Sequence, residues 1–188
     1  MLKIKSSPLT WLFPAVLFFI AADKPKLMKV KVNDAITVSV PKDWLPMQEE
    51  DIIQRYPSVR APLMAYTNAE RVADFSVNVS ATQWPDDDIE LAKKFFKAGL
   101  VNVFDRVDMI DEGIREVRGN KFIFFEFESR INGTKQQQAL TEPVTRYTYI
   151  QYFIEPGRAL VFSFNCPRRD RELWQETARA MMKEVRIK

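Results

Sequence analysis

Residues 157–187 read "GRALVFSFNCPRRDRELWQETARAMMKEVRI", and three patterns follow one another within them. The apolar run from Ala159 to Phe164 has the composition of a buried strand. Pro167 has no N–H to donate and interrupts a ladder there. Arg168 and Arg169 continue a polar turn, and Asp170 stands where a helix cap is needed. Beyond it, Leu173, Thr177 or Ala178, Met181 and Val185 recur at helical spacing and predict one apolar face. The chain therefore ends as strand, turn and helix.

Working upstream, residues 143–164, "PVTRYTYIQYFIEPGRALVFSF", predict two aromatic strands paired across a type II turn at Pro156-Gly157. Residues 107–135 predict two long antiparallel strands joined at "RGNK", where Gly119 and Asn120 accept positive φ. In residues 84–104, "WPDDDIELAKKFFKAGLVNVF", the spacing predicts a helix from Asp88 to Phe104 with Ile89, Ala92, Phe96, Leu100 and Val103 facing a sheet. Near the start, "LMKVKV" and "AITVSV" flank Asn33-Asp34 as a hairpin. "PLMAYTN" and "ADFSVNVSAT" form a further strand pair, with Phe75, Val77 and Val79 on a buried face and Ser76, Asn78 and Ser80 on a polar one. A short helix, Glu49 to Gln54, fits the proline-punctuated stretch between them. Some eight strands with hairpin connections and two long helices make an α+β fold. Its mostly antiparallel central sheet is flanked by helices in an α/β/α layered sandwich.

Three stretches together resemble the Mog/PsbP-like fold group, which includes DcrB-type exported bacterial proteins. They are "ITVSVPKDW" with Pro41 and Trp44, "VSATQWPDDDIELAKKFF", and the closing segment with its final Val-Arg-Ile. The resemblance runs from about Ile36 to Ile187. It implies a central antiparallel sheet and an accessory or binding role. It implies no reaction, because a fold does not carry a chemistry by itself.

The composition is that of one globular domain: 188 residues, 46% hydrophobic, 28% charged, with 14 phenylalanines against 5 glycines. A formal net charge of +3 is too mild for a nucleic-acid footprint. The first residues account for part of it. Lys3 and Lys5 precede an apolar run from Leu9 to Ala22, followed by Asp23 and Lys24, the pattern of a secretory signal peptide cleaved after Ala22. The competing reading is a retained anchor, but the run is shorter than a spanning helix and carries Pro14. The expected organisation is a signal peptide at 1–22, a connector and first strand at 23–35, and the sandwich domain at 36–188. Cleavage removes two lysines and no acid, leaving a nearly neutral chain in an extracytoplasmic setting. One cysteine cannot form an intrachain disulfide, so the core alone holds the fold.

The chain has no histidine, which removes the commonest general base, the usual triads and most zinc sites. Cys166 is either an activated thiol beside Arg168, Arg169 and Arg171 or the buried end of a strand, and without a histidine partner the second reading is preferred. Asp86, Asp87, Asp88 and Glu90 lack the spacing of a calcium loop and suit a helix start, with Asp87 and Glu90 at capping-box distance. The arginine run is either a solvated surface or a site for phosphate or an acidic partner. Tyr147, Tyr149, Tyr152, Phe153, Phe162 and Phe164 either fill the core or line a cavity for a small apolar ligand. Asn78 and Asn132 match the glycosylation pattern. Two long connections, Asn132 to Pro143 and Pro46 to Pro62, are where binding is expected first. No catalytic residue, cofactor or metal is expected. The chain reads as an exported, non-catalytic binding or accessory protein with a protein or small-molecule partner, no nucleic acid, and no membrane span after cleavage. The alternatives are a carrier of a small apolar ligand held between sheet and helix and, behind it, a cysteine-dependent enzyme.

Overall fold

The computed structural model describes residues 25–56, 60–80, 82, 84, 88–132 and 142–188, so the proposed signal segment lies outside the described residues. In chain order its elements are β1 (Leu27–Lys31), β2 (Ile36–Pro41), β3 (Leu45–Pro46), α1 (Glu49–Arg55), β4 (Met64–Thr67), β5 (Asp74–Ser80) and α2 (Ile89–Val103). Then come β6 (Arg106–Val117), β7 (Asn120–Ile131), β8 (Val144–Glu155), β9 (Arg158–Pro167), a 3-10 turn (Arg168–Asp170), α3 (Arg171–Lys183) and β10 (Arg186–Ile187).

Seven strands form one antiparallel sheet in the order β3-β4-β5-β9-β8-β7-β6. The short reach of its turns explains most of that order. Pro156 and Gly157 separate the paired residues Glu155 and Arg158, and Gly157 takes φ 78°, as a type II turn requires. At the other hairpin Val117 pairs with Asn120, so the two turn residues are Arg118 and Gly119, at φ 53° and 84°. This is a type I′ turn one residue earlier than the sequence suggested. Asn120 is already strand, and its amide donates to the Ile187 carbonyl at 3.3 Å.

A second, three-stranded sheet has the order β1-β2-β10. Asn33 closes its hairpin by accepting from the backbone N–H groups of Ala35 and Ile36 at 2.9 and 2.8 Å. The terminal Val-Arg-Ile completes it, with Arg186 opposite Thr37 and Ile187 opposite Ile36. Two residues are too few for a strand signal in sequence.

Because strand side chains alternate, the large sheet presents two faces. One bears Phe75, Phe122, Tyr147, Tyr149, Phe162 and Phe164, and it packs against α3 and the small sheet. The other bears Ile123, Phe125, Phe127 and Tyr152, and it packs against Ala92 and Phe96 of α2. The layered α+β sandwich expected from sequence is the fold observed.

Three details differ. Val103 is 69% exposed rather than buried, because the backbone leaves the helix at Phe104, whose ring supplies the last contact at 5.8 Å from Phe127. Leu173 is 73% exposed, and the apolar stripe of α3 is instead Trp174, Ala178, Met181 and Val185. Trp174 reaches Trp44 and Phe164 with ring centroids at 5.4 and 6.3 Å, a fit that Leu173 misses by one step of helical rotation. At the start of α2 the cap is Asp88, whose carboxylate accepts from the Leu91 N–H at 2.9 Å. Asp86 and Asp87 lie outside the described residues.

Candidate functional site

The polar chemistry gathers at one end of the large sheet, where β5 and β8 begin and β9 ends. On the face toward α3, Glu126 and Glu128 are alternate residues of β7 and so point the same way. The facing helix places Arg171, Gln175 and Arg179 at four-residue steps, a polar stripe beside its apolar one. Glu126 is 1% exposed and accepts from Tyr147 Oη at 2.9 Å, Arg179 Nε at 3.0 Å and Gln175 Nε2. Glu128 accepts from Arg171 Nη1 at 2.9 Å and from Arg168 Nε. Burial raises the Glu128 carboxyl, but Arg171 and Arg168 outweigh it and hold the group below its ordinary range. Above these pairs lies a cleft of about 610 Å³ lined by Glu128, Thr145, Arg168, Arg169 and Arg171, among others.

The arginine run is thus not a free basic patch. Arg168 and Arg171 are both engaged by Glu128, while Arg169 is exposed and 3.8 Å from Asp170. Asp170 holds the position before α3 without donating or accepting a capping bond from its side chain.

Cys166 is fully buried opposite Tyr147 on β8. Burial, then Asp170 and Asp74, push its thiol up to about 12, with only Arg146 acting the other way. The three neighbouring arginines do not activate it. We expect native Cys166 to resist iodoacetamide at neutral pH and to react once urea unfolds the chain. Replacement with Ala should cost about 1 kcal/mol, the share of a small buried side chain. Fast labelling of the native protein below pH 8 would overturn the assignment.

The aromatic ladder is not one-sided. Tyr147, Tyr149, Phe162 and Phe164 are fully buried toward α3, whereas Tyr152 faces α2 and stacks on Phe96 with centroids 4.2 Å apart. Of the six rings, Phe153 is partly buried and lines a surface cleft beside Asn120, Glu155 and Ile187, and the other five fill the two cores. Burial raises the Tyr149 phenol to about 12, and its hydroxyl has no hydrogen-bond partner among the described residues. Among those residues no three His, Cys, Asp or Glu side chains are grouped to hold a metal. Asn78 lies within β5, between β4 and β9, with its amide on Ser76 Oγ at 2.9 Å. Asn132 is exposed and accepts from Arg130 Nε at 2.8 Å.

The opposite face of the same sheet end holds what sequence reasoning missed. The polar side of β5 is buried too: Asp74 is 2% exposed and Ser76 is fully covered. Asp74 accepts from Tyr56 Oη at 2.5 Å, Arg55 Nη1 at 2.9 Å and Asn165 Nδ2 at 3.1 Å. Asn165 Oδ1 in turn accepts from Thr148 Oγ1 at 3.0 Å. Burial and the adjacent Asp74 carboxylate keep the Tyr56 phenol protonated well above its ordinary range. The available signal was the matching polar alternation of Asp74 and Ser76 with Ser163 and Asn165, which pair across β5 and β9. Beside this floor opens a cleft of about 540 Å³ lined by Gln54 and Arg55 of α1, Val72, Val144, Thr145 and Arg146 of β8, and Pro167. The two long connections singled out in sequence both lead to it. Residues 57–59 and 133–141 of those connections lie outside the described residues.

No protein-family model matches the chain, and no curated protein matches it in sequence. Solved structures do match its shape. Cyanobacterial PsbP (CyanoP) from Synechocystis superposes with a TM-score of 0.56 at 11% identity, over 87% of this chain and 93% of that one. The Saccharomyces cerevisiae Ran-binding protein Mog1p gives 0.53 at 13% identity, over 86% and 95%. LpqN of Mycobacterium tuberculosis, described as involved in cell envelope biogenesis, gives 0.53 at 13% identity, over 86% and 90%. Identities this low establish architecture and nothing finer, and on that architecture the chain has the PsbP/Mog1-like fold.

Proposed function

We propose that the protein is an exported, non-catalytic binding or accessory protein. The observation that carries the reading is the state of its reactive groups. The one thiol is buried and shifted to about 12, and Glu126 and Glu128 are saturated by arginine, glutamine and tyrosine donors. Groups held in this way are poor nucleophiles and bases. The open clefts are lined mainly by arginines, amides and hydroxyls, with Glu128 and Glu172 beside the arginines of one of them, and such mixed polar linings suit recognition.

Two further facts support the proposal. Mog1p, of the same fold, is a Ran-binding protein, and LpqN is involved in cell envelope biogenesis. The lysines and apolar run of the first 22 residues favour export. No helix among the described residues is long and apolar enough to cross a membrane.

The test has two parts. The chain recovered from an exporting host should have the intact mass expected after loss of residues 1–22. It should also turn over nothing in an unbiased panel of ester, amide, phosphate and glycoside substrates. Turnover that survives purification and is lost on mutation of a residue at this sheet end would overturn the non-catalytic reading. Retention of residues 1–22 would overturn cleavage.

A further inference from the structure

The geometry points to a binding site for a small organic anion, a carboxylate or phosphate on a short apolar group, in the cleft between α1 and the start of β8. The inference deepens the binding-protein reading and rests on it. The cleft, of about 540 Å³, is of the size that holds small ligands. Two guanidinium groups line it, and they are in different states. Arg55 is held between Asp74 and the Arg71 carbonyl, so it is fixed in place before any ligand arrives. Arg146 is exposed and has no carboxylate or hydrogen-bond partner among the described residues.

The buried acid at the floor of this sheet end is already committed to other donors. Asp74 already accepts from Arg55, Tyr56 and Asn165, and its side chain is enclosed by them. Three other arginines at this sheet end are occupied: Arg71 bonds Asp51, and Arg168 and Arg171 bond Glu128, while Arg169 is exposed on the opposite face, 3.8 Å from Asp170. Arg146, a lining residue of the cleft, therefore keeps its planar fork of donors uncommitted among the described residues, and such a fork can grip two oxygens of a carboxylate or phosphate at once. Gln54 and Thr145 add neutral polar groups, and Val72, Val144 and Pro167 supply apolar wall. A cationic ligand finds no unpaired carboxylate in this lining, and a purely apolar one would strip water from Arg146 without replacing it.

The test is a ¹⁵N–¹H titration of the full chain, as recovered from its host, with butanoate, butylphosphonate and butylammonium at constant ionic strength. Saturable shifts at the amides of Gln54, Thr145 and Arg146 are expected with an anion and not with butylammonium. The anion that saturates at the lower concentration identifies the source as carboxylate or phosphate. The Arg146 side chain makes no hydrogen bond or ion pair among the described residues, and the backbone pairing of Arg146 with Ser129 and Pro167 does not depend on it, so R146Q should keep the native spectrum while weakening binding at least tenfold. R169Q, in the cleft on the opposite face, should leave binding unchanged. Absence of saturable shifts, equal response to butylammonium, or unaltered affinity in R146Q would each overturn the site. That failure without any substrate turnover leaves the binding-protein reading standing, whereas turnover removes the reading itself.

Discussion

Glu126→Ala is expected to destabilise the protein by about 2–4 kcal/mol, from unsatisfied buried donors and the lost packing of a buried side chain. Glu126 is 1% exposed and accepts three bonds, from Tyr147, Gln175 and Arg179. Removing it leaves the Tyr147 phenol and the Gln175 amide without their acceptor and the Arg179 guanidinium with Glu176 alone. Glu126→Gln keeps the shape and one acceptor but removes the charge that Arg179 faces, so an intermediate loss of about 1–3 kcal/mol is expected. Urea unfolding monitored by tryptophan fluorescence measures both. A loss below about 1 kcal/mol for the alanine variant would mean that water takes over the role of the carboxylate.

Phe96→Ala should cost about 3–5 kcal/mol by a different route, the cavity left in a packed core. Phe96 is 8% exposed and lies flat on Tyr152, with centroids 4.2 Å apart and planes 6° from parallel. It joins α2 to the sheet together with Ala92. α2 makes few other deep contacts, because its Leu91, Phe95 and Val101 face outward. Val103→Ala is the internal control. Val103 is 69% exposed, and truncation there should change stability by less than about 0.5 kcal/mol. If the two variants were equally costly, the helix would be packed by a different face.

The contrast between these positions shows how far sequence carried the fold. Ile89, Ala92, Phe96 and Leu100 were legible because a helix repeats every few residues, and its inward stripe follows from its neighbours alone. Val103 was misjudged because periodicity does not say where the helix stops. At α3, Leu173 and Trp174 are adjacent, and either begins an acceptable stripe. The choice was made by Trp44, far away in sequence, and by Phe164, on the strand before the helix. The Arg118-Gly119 turn shows the same limit: glycine announced the turn, but the pairing of Val117 with Asn120 set its place.

The candidate sites were still less legible. Cys166 was correctly read as a buried strand end, since the apolar run before it and the proline after it are local facts. The arginines beside it were visible as charges, but their partner, Glu128, is about forty residues away and faces them only through the register of β7, β8 and β9. Asp74 was not singled out in the sequence, where Ser76, Asn78 and Ser80 marked the polar face of that strand. Its role as the acceptor for Arg55, Tyr56 and Asn165 required the end of α1 to meet the start of β5 and β5 to pair with β9.

By itself the sequence determined the class of fold, the presence of the main hairpins and helices and the burial of the cysteine, all from patterns that span a few residues. Tertiary structure alone decided the second sheet, the inward residue of α3, the pairing of each charge and the cleft that Arg146 lines. The physical reason is range. Periodicity and turn chemistry act between near neighbours, whereas the partner of a buried charge is set by strand register and by helix placement, which bring together residues such as Glu126 and Arg179 from distant parts of the chain.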